Sequence, residues 1–590
     1  MKAKEDSLRM YYVQRPSPEC AGFRNIQAYF PSLETLFPSI QSHTGGNPTL
    51  AASELLVDIS GSLATVENLS TKVIKQVPVW TRSVHLLEPV DVMSGDYVLP
   101  KDGVLPTFKT SWQKTLRKIN DPYNEAYTAA VAACMTSRLV ETGITPHFCR
   151  FYGTYSGRAA EYRYNLTEDL RDIEEEKWFR EGISPGKITI MAVDPYNPDI
   201  EGPFEPWMPP PIRRIEAVSD DEQGPESVSD EDQDSDKVSS DESSIDASSE
   251  EDTVEIPLDV GEVTVQRHRI QLGPSATYHS SGSSSYDTED DLDYIAILKD
   301  FPVQLTFLEK CDGTMDKLMD DEVSDDATDD MKETKEARWT AWMFQVIAAL
   351  TVVQDKYDLI HNDLHTNNIT WSGTAETHLY YHVCGAAGGD RYYKVPTYGR
   401  IFKIIDFGRA TFREPGGRTW FPDVYGPGAD AEGQYNCGPF FDQSKTKIVP
   451  NPSFDLCRLA VAMLESIWPE KPAVKEPKKQ MTAEPGFTQY ETVSPLWNLL
   501  WLWLTDKEGG NFLRLPNGRE RYPDFDLYCA IAKSSNNAVP SQQLTLPLFD
   551  EAYKIRQKDV PGDVTTWKLH VSSSNPKPAK KRAVKARLHQ

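Results

Sequence analysis

A forty-residue block that cannot fold divides this chain. Between Glu216 and Glu255 there are 17 acidic residues and one basic residue, Lys237, a local charge of −16. Its core, "VSDDEQGPESVSDEDQDSDKVSSDESSIDASSEEDTVE" (218–255), is mostly Asp, Glu and Ser. So little apolar surface cannot offset the roughly 1–2 kcal/mol of backbone entropy that each ordered residue loses. Whatever folds must therefore be assembled from the flanks, with the block looped out. The same reasoning extends to "YHSSGSSSYDTEDDLDY" (278–294), to "MDDEVSDDATDDMKE" (319–333) and to the tail "SSSNPKPAKKRAVKARLHQ" (572–590), which carries six basic residues and no acid. "PFEPWMPPPIRR" (203–214) reads as a stiff proline-rich spacer.

The chain-wide charge of −27 and the 39% hydrophobic content largely reflect these segments. The longest apolar stretch, "LWNLLWLWL" (496–504), falls well short of the roughly 20 residues that span a bilayer. The charged start "MKAKEDSLRMYYVQ" has no apolar core of a secretory signal. Eight scattered cysteines without a C-x-x-C pair suit a reducing compartment. The expectation is an intracellular soluble protein.

Between the unfolded segments lie patterned ones. Apolar residues at three- and four-residue intervals predict helices over 124–141 and 336–354, and a third is expected over 454–468 after the turn-like "PNPS". "FPVQLTFLE" (301–309) and "RIFKIIDFG" (400–408) are short and β-rich, as strands are.

Two polar motifs follow such elements. "LIHNDLHTNNI" spaces His361, Asp363, Leu364 and Asn368 as in H-R-D-L-x-x-x-N, and "IIDFG" ends a strand on Asp406, Phe407 and Gly408. Phosphoryl transfer needs a carboxylate to accept the hydroxyl proton, and a second carboxylate with a carboxamide to hold Mg2+ against the phosphates. The chain resembles the protein-kinase superfamily here, and the resemblance makes Asp363 the base and Asn368 and Asp406 the metal ligands. "HNDLHTNN", "KVPTYG", "KIIDFGRA", "PNPSFDLCRLA" and "RYPDFDLYCAIA" resemble the serine/threonine-kinase-like branch found in large DNA viruses.

That resemblance implies an α+β, bilobal kinase-like fold, with a small β-rich lobe and a larger helical lobe. "ISGSLATV" (59–66) fits a glycine-rich loop imperfectly, with Gly61 and Val66 at family positions but Ile59 and Ala64 in place of glycines. In "KVIKQV" Lys75 is the candidate for the ATP phosphates; the plainer alternative is a surface lysine on a hairpin. Its carboxylate partner is expected to be Glu125, with Glu141 as competitor. Glu309 and Cys311 lie in the expected hinge beside adenine, Asp316 opens the next helix, and Asp455 would fix the backbone of the catalytic loop.

The resulting division has an N-terminal extension (1–50) and a small lobe with hinge (51–311), interrupted by an insertion over about 156–298 whose disordered acidic core is 216–294. A large lobe (312–571) carries an inserted hairpin over about 372–400, and a basic tail (572–590) follows. Departures from the pattern are Asn362 where kinases place Arg, His365 where they place Lys near the γ-phosphate, and the absence of A-P-E. The expected function is an ATP- and Mg2+-dependent transfer of phosphate to Ser/Thr hydroxyls of protein substrates. The alternatives are a small-molecule phosphotransferase of aminoglycoside or choline type, which His365 suits, and a catalytically weak kinase-fold scaffold or virion protein. If the chain is viral, host cytoplasm is the expected place. The basic tail is a candidate nuclear signal, nucleic-acid arm or tether to an acidic partner, while Ser219, Ser229, Ser248 and Ser249, each with an acid three residues on, are candidate phosphorylation sites.

Overall fold

The computed structural model describes residues 8–40, 45–109, 113–167, 169–183, 188–193, 201–203, 292–321, 329–386, 389–484 and 487–571. The acidic block, nearly all of the proline-rich spacer and the basic tail lie outside these residues, as do the candidate phosphorylation sites. The described chain is a mixed α+β structure.

Its first half is a curled antiparallel sheet. In chain order come β1 (Arg9–Val13), β2 (Phe23–Gln27), α1 (Ser32–Leu36), β3 (Asn47–Ala51), β4 (Glu54–Ser60), β5 (Leu63–Asn68) and β6 (Ile74–His85). Helices α2 (Pro89–Ser94), α3 (Lys114–Ile119) and α4 (Glu125–Glu141) precede β7 (Phe151–Asn165). Then follow α5 (Leu170–Ile173), α6 (Lys177–Ile183), β8 (Thr189–Val193), β9 (Glu201–Pro203) and β10 (Asp293–Glu309). The main sheet runs β2-β7-β10-β6-β5-β4, with β8 and β9 added beside the start of β10. β10 is central because both of its faces are covered: Phe301, Val303, Leu305 and Phe307 are buried, and so are Gln304 and Thr306 between them. Gln304 tolerates this because Ser156 Oγ donates to its Oε1 and its amide donates to Thr154 Oγ1. Small side chains along α4 let that helix pack against β7 and β10.

Three boundaries differ from expectation. Residues 1–50 are no appendage: β2 pairs with β7, and Phe30, Leu33 and Leu50 sit in the core. The insertion does not begin near 156, because β7 continues to Asn165 in register with β10, which itself begins at Asp293. Of the segment 319–333, both ends are helical: α7 (Met315–Asp321) reaches into it and α8 (Asp329–Tyr357) starts within it.

The second half opens with β11 (Gly313–Thr314), α7 and α8. Trp339, Trp342, Met343, Phe344, Ile347 and Leu350 are all fully buried, so the middle of α8 is covered on every side and forms the axis of this half. Strands β12 (Ile369–Gly373), β13 (His378–Cys384), β14 (Arg391–Pro396) and β15 (Arg400–Ile404) follow. Then come the small hairpins β16 (Phe412–Arg413) with β17 (Thr419–Trp420) and β18 (Gln480–Glu484) with β19 (Phe487–Tyr490). Helix α9 (Phe454–Ile467) lies between these two hairpins; after them come α10 (Pro495–Trp503), α11 (Asp526–Ser534), β20 (Lys554–Ile555) and β21 (Thr566–His570). β13 and β14 form a hairpin in a four-stranded sheet ordered β20-β14-β13-β21. The halves are joined at His147, whose ring contacts Phe402 O at 2.9 Å and Tyr381 Oη at 2.8 Å, and at Phe148, which bridges to Ile404. Among the described residues no helix is long and apolar enough to cross a membrane.

Candidate functional site

The antiparallel pair β12–β15 solves a problem of distance along the chain. Ile369 stands opposite Ile404, so Asn368, just before β12, and Asp406, just after β15, emerge at the same end. Ile405 N donates to Asn368 O at 3.0 Å. The β13–β14 hairpin is looped out between them. The loop ahead of Asn368 is pinned from below by Asp455 at the start of α9, whose carboxylate accepts the N–H groups of His361 (3.0 Å) and Asn362 (2.9 Å). Asp455 is fully buried, and its anchoring position is the one expected from sequence. His361 reaches the other way, with Nε2 2.8 Å from Ile405 O. Asn362 adopts φ +66°, a region Asn tolerates better than most residues. Its amide donates to Arg409 O and its Oδ1 accepts from Tyr435, stitching the loop to the segment after Gly408.

Around this frame four predicted residues converge: Asp363, His365, Asn368 and Asp406. Asp363 Oδ1 accepts from Tyr528 Oη at 2.9 Å, and its Oδ2 lies 3.9 Å from His365 Nε2. Burial pushes the Asp363 carboxyl up, but the Arg409 guanidinium, with His365 and Arg458, outweighs it and holds the group at about 2. Burial likewise pulls His365 down to about 4, against the opposing pull of both Asp363 and Asp406, so its imidazole is neutral at pH 7. Asn368 Nδ2 donates to Asp363 O at 2.9 Å and lies 3.0 Å from His365 Nε2. The amide nitrogen is fixed by the carbonyl, so His365 Nε2 must be the acceptor and Nδ1 must carry the proton. That Nδ1 is buried and has no hydrogen-bond partner among the described residues. A buried donor without a partner costs roughly 1–3 kcal/mol unless something else accepts from it.

Asp406 sits at φ +67°, off the favoured regions for a non-glycine residue, as residues at functional sites often do. Its Oδ1 pairs with Arg82 Nη2 at 2.6 Å. Arg82 comes from β6 and, with Ala129 and Ala133 of α4, Thr306 and Leu308 of β10 and Asp406 itself, lines a narrow pocket with room for about one water. α4 offers this pocket alanines and Thr136, not a carboxylate.

The remaining predicted residues stand elsewhere. Lys75 is not the pocket cation. It lies seven positions before Arg82 on β6, on the opposite face by the strand's two-residue alternation and roughly 23 Å away. Its Nζ pairs with Glu54 Oε1 at 2.6 Å instead. Glu125 is not its partner: Glu125 Oε1 lies 3.2 Å from His85 Nε2 at the far end of β6, and its backbone N–H donates to Asp423. Glu141 accepts from Ser53 N and Ser53 Oγ. Gly61 is at the β4–β5 turn with φ +58°, where glycine is favoured, and Val66 is buried in β5 opposite Lys75. In the expected hinge, Glu309 N donates to Arg150 O and the Glu309 carboxylate pairs with Lys403 Nζ at 2.6 Å, while Cys311 Sγ lies 3.5 Å from Cys149 Sγ. Asp316 accepts from Thr366 Oγ1, tying α7 to the turn before Asn368.

Sequence reasoning missed Arg82, Arg409 and Tyr528. Arg82 had a signal, a lone basic residue among apolar ones in "VPVWTRSVHLL", and Arg409 directly follows Asp-Phe-Gly. Tyr528 had none, because its contact joins α11 to a loop 165 positions away. In sequence comparisons no family model and no curated protein matches this chain.

Proposed function

We propose that this chain is an ATP- and Mg2+-dependent phosphotransferase that phosphorylates Ser and Thr hydroxyls of proteins, on a two-lobed kinase-like fold. The observation that carries the reading is the convergence of Asp363, Asn368 and Asp406, from two segments 38 positions apart, around the neutral His365. The strand order β4-β5-β6-β10-β7 with α4 beside it, followed by a helix-rich half, supports the fold assignment.

In this reading Asp363 is ionised at neutral pH, with Oδ1 tethered by Tyr528 and Oδ2 left to accept the proton of the attacking hydroxyl. The carboxamide oxygen of Asn368 and the carboxylate of Asp406 are the hard oxygen donors that suit Mg2+. A magnesium ion bound there would neutralise phosphate charge. As nucleotide enters, the Asp406–Arg82 pair opens and the guanidinium turns to phosphate oxygens.

One observation favours the weaker, scaffold reading: α4 presents Ala129, Ala133 and Thr136, and no carboxylate, to the pocket. Purified full-length protein incubated with Mg-[γ-32P]ATP and generic protein acceptors separates the readings. The expected result is phosphate on Ser and Thr, mapped by mass spectrometry, and a loss of about 10³-fold in Asp363→Asn. Equal labelling by wild type and Asp363→Asn would favour the scaffold, and label confined to small hydroxyl compounds the small-molecule enzyme.

A further inference from the structure

The looped-out β13–β14 hairpin plays no part in the site above, yet its tip gathers three ligand-type side chains. We propose that His382, Cys384 and Asp390 form a binding site for a borderline-soft divalent metal ion, Zn2+ by ligand type.

His382 and Cys384 are two positions apart on β13 and so project from the same face of the sheet. The chain then reverses through Gly385 (φ +81°) and Gly389 (φ +102°). Gly385 is demanded by space as well as by φ, since a Cβ there would meet the Val571 carbonyl oxygen at 2.8 Å. The reversal returns Asp390 to the pair. Asp390 Oδ2 lies 2.9 Å from His382 Nε2, and Cys384 Sγ lies 3.5 Å from the same nitrogen and 3.8 Å from His382 O. One ligand atom from each residue lies within 4.8 Å of the others. Zn–S and Zn–N bonds of about 2.3 and 2.0 Å at a tetrahedral angle put sulfur and nitrogen roughly 3.6 Å apart, close to the separation found.

The surroundings orient these groups. The His382 ring stacks on Tyr392 at 4.4 Å and 8°, which fixes the direction of Nε2. Asp390 Oδ1 accepts the Gly385 N–H at 3.3 Å, the kind of outer contact that holds a ligating carboxylate in place and leaves Oδ2 for the ion. Burial and the Asp390 carboxylate push the Cys384 thiol up, and Lys568, in register with His382 on β21, opposes them. Metal binding displaces the thiol proton and leaves the imidazole proton on Nδ1, with water in the fourth position. Thiolate with imidazole and carboxylate selects Zn2+ over Mg2+ or Ca2+. The other convergent cluster, His85, Glu88 and Glu125, does not compete, because the Lys118 ammonium already sits 3.0 Å from Glu88 Oε1.

The test uses full-length protein stripped with chelator and dialysed against Co2+, then Zn2+, with metal content by mass spectrometry and the visible spectrum of the Co2+ form. The expected result is one equivalent of Co2+ with thiolate charge-transfer and intense tetrahedral bands. In Cys384→Ser the charge-transfer band disappears, and in both Cys384→Ser and His382→Ala the Zn2+ affinity falls at least about tenfold. Circular dichroism verifies that the variants are folded. Wild type without stoichiometric metal, or a Co2+ spectrum unchanged in Cys384→Ser, overturns the proposal. Neither readout involves phosphate transfer.

Discussion

The segment after β15, which is bonded to the loop between α8 and β12, and the sheet that faces it line the same pocket, but the two sides obey their sequence in different ways. Asp455 at the start of α9 holds the loop backbone, Asp363 and Asn368 of the loop lie beside His365, and Asp406 acts on the same imidazole from the end of β15. On the sheet the motif-like letters mislead. Lys75 and Glu125 are both engaged elsewhere, and the cation that meets Asp406 is Arg82. The difference lies in what fixes each position. His361 and Asn368 are held by hydrogen bonds to backbone carbonyls, so spacing along the chain sets their positions. A strand residue is placed by register and face, and a shift of odd length reverses the face.

Three experiments break or sharpen this contrast. The largest effect is expected from Asp455→Ala, which strips two buried N–H groups of their acceptor. It should lower the unfolding free energy by about 4 kcal/mol in urea titrations; a loss below about 1 kcal/mol would mean the loop holds itself. Next, Arg82→Ala should reduce phosphate transfer by about 10²-fold, the scale for removing one charge-stabilising donor. Lys75→Ala, on the opposite face, should stay within about twofold. Equal losses in the two variants would erase the distinction drawn between loop and sheet.

The last effect is a dependence on pH at the junction of the two regions. Asp423 accepts the Glu125 N–H at 3.0 Å and pairs with Lys118 Nζ at 2.9 Å. Burial nevertheless pushes the Asp423 carboxyl up to about 7 against the pull of Lys118. The folded state then keeps a proton that the unfolded chain releases near pH 4, so this group's contribution to stability falls as pH rises from about 4 to 7 and is level above. Asp423→Asn should lack that decline, so the difference between variant and wild-type urea midpoints should change with pH across this window. A difference that does not vary with pH would place the carboxyl at its ordinary value.

Much of the fold was legible because apolar periodicity is a local property. The helices at α4 and α9 and the strand at β15 start within a few residues of their patterns, whereas α8 and β10 contain theirs but begin earlier. The earlier start of β10 arose from pairing that a short window cannot register: Ile295–Lys299 are strand because β7 and β8 flank them. The same holds for residues 1–50, whose β2 is sheet only in the presence of β7. At the site, Asp363, Asn368 and Asp406 were readable, whereas Tyr528 was not, because its role depends on α11 docking against α9. Arg82 was readable only to a reader who counted strand faces rather than motif letters.

Under the proposed function, Asp406 exchanges Arg82 for a metal-bound nucleotide, and calorimetric titration of the full-length protein with ATP, with and without Mg2+, is the decisive measurement. Saturable binding that depends on Mg2+ is expected in wild type, with that dependence lost in Asp406→Asn. Absence of nucleotide binding in wild type, or identical Mg2+-dependent binding in Asp406→Asn, would contradict that exchange.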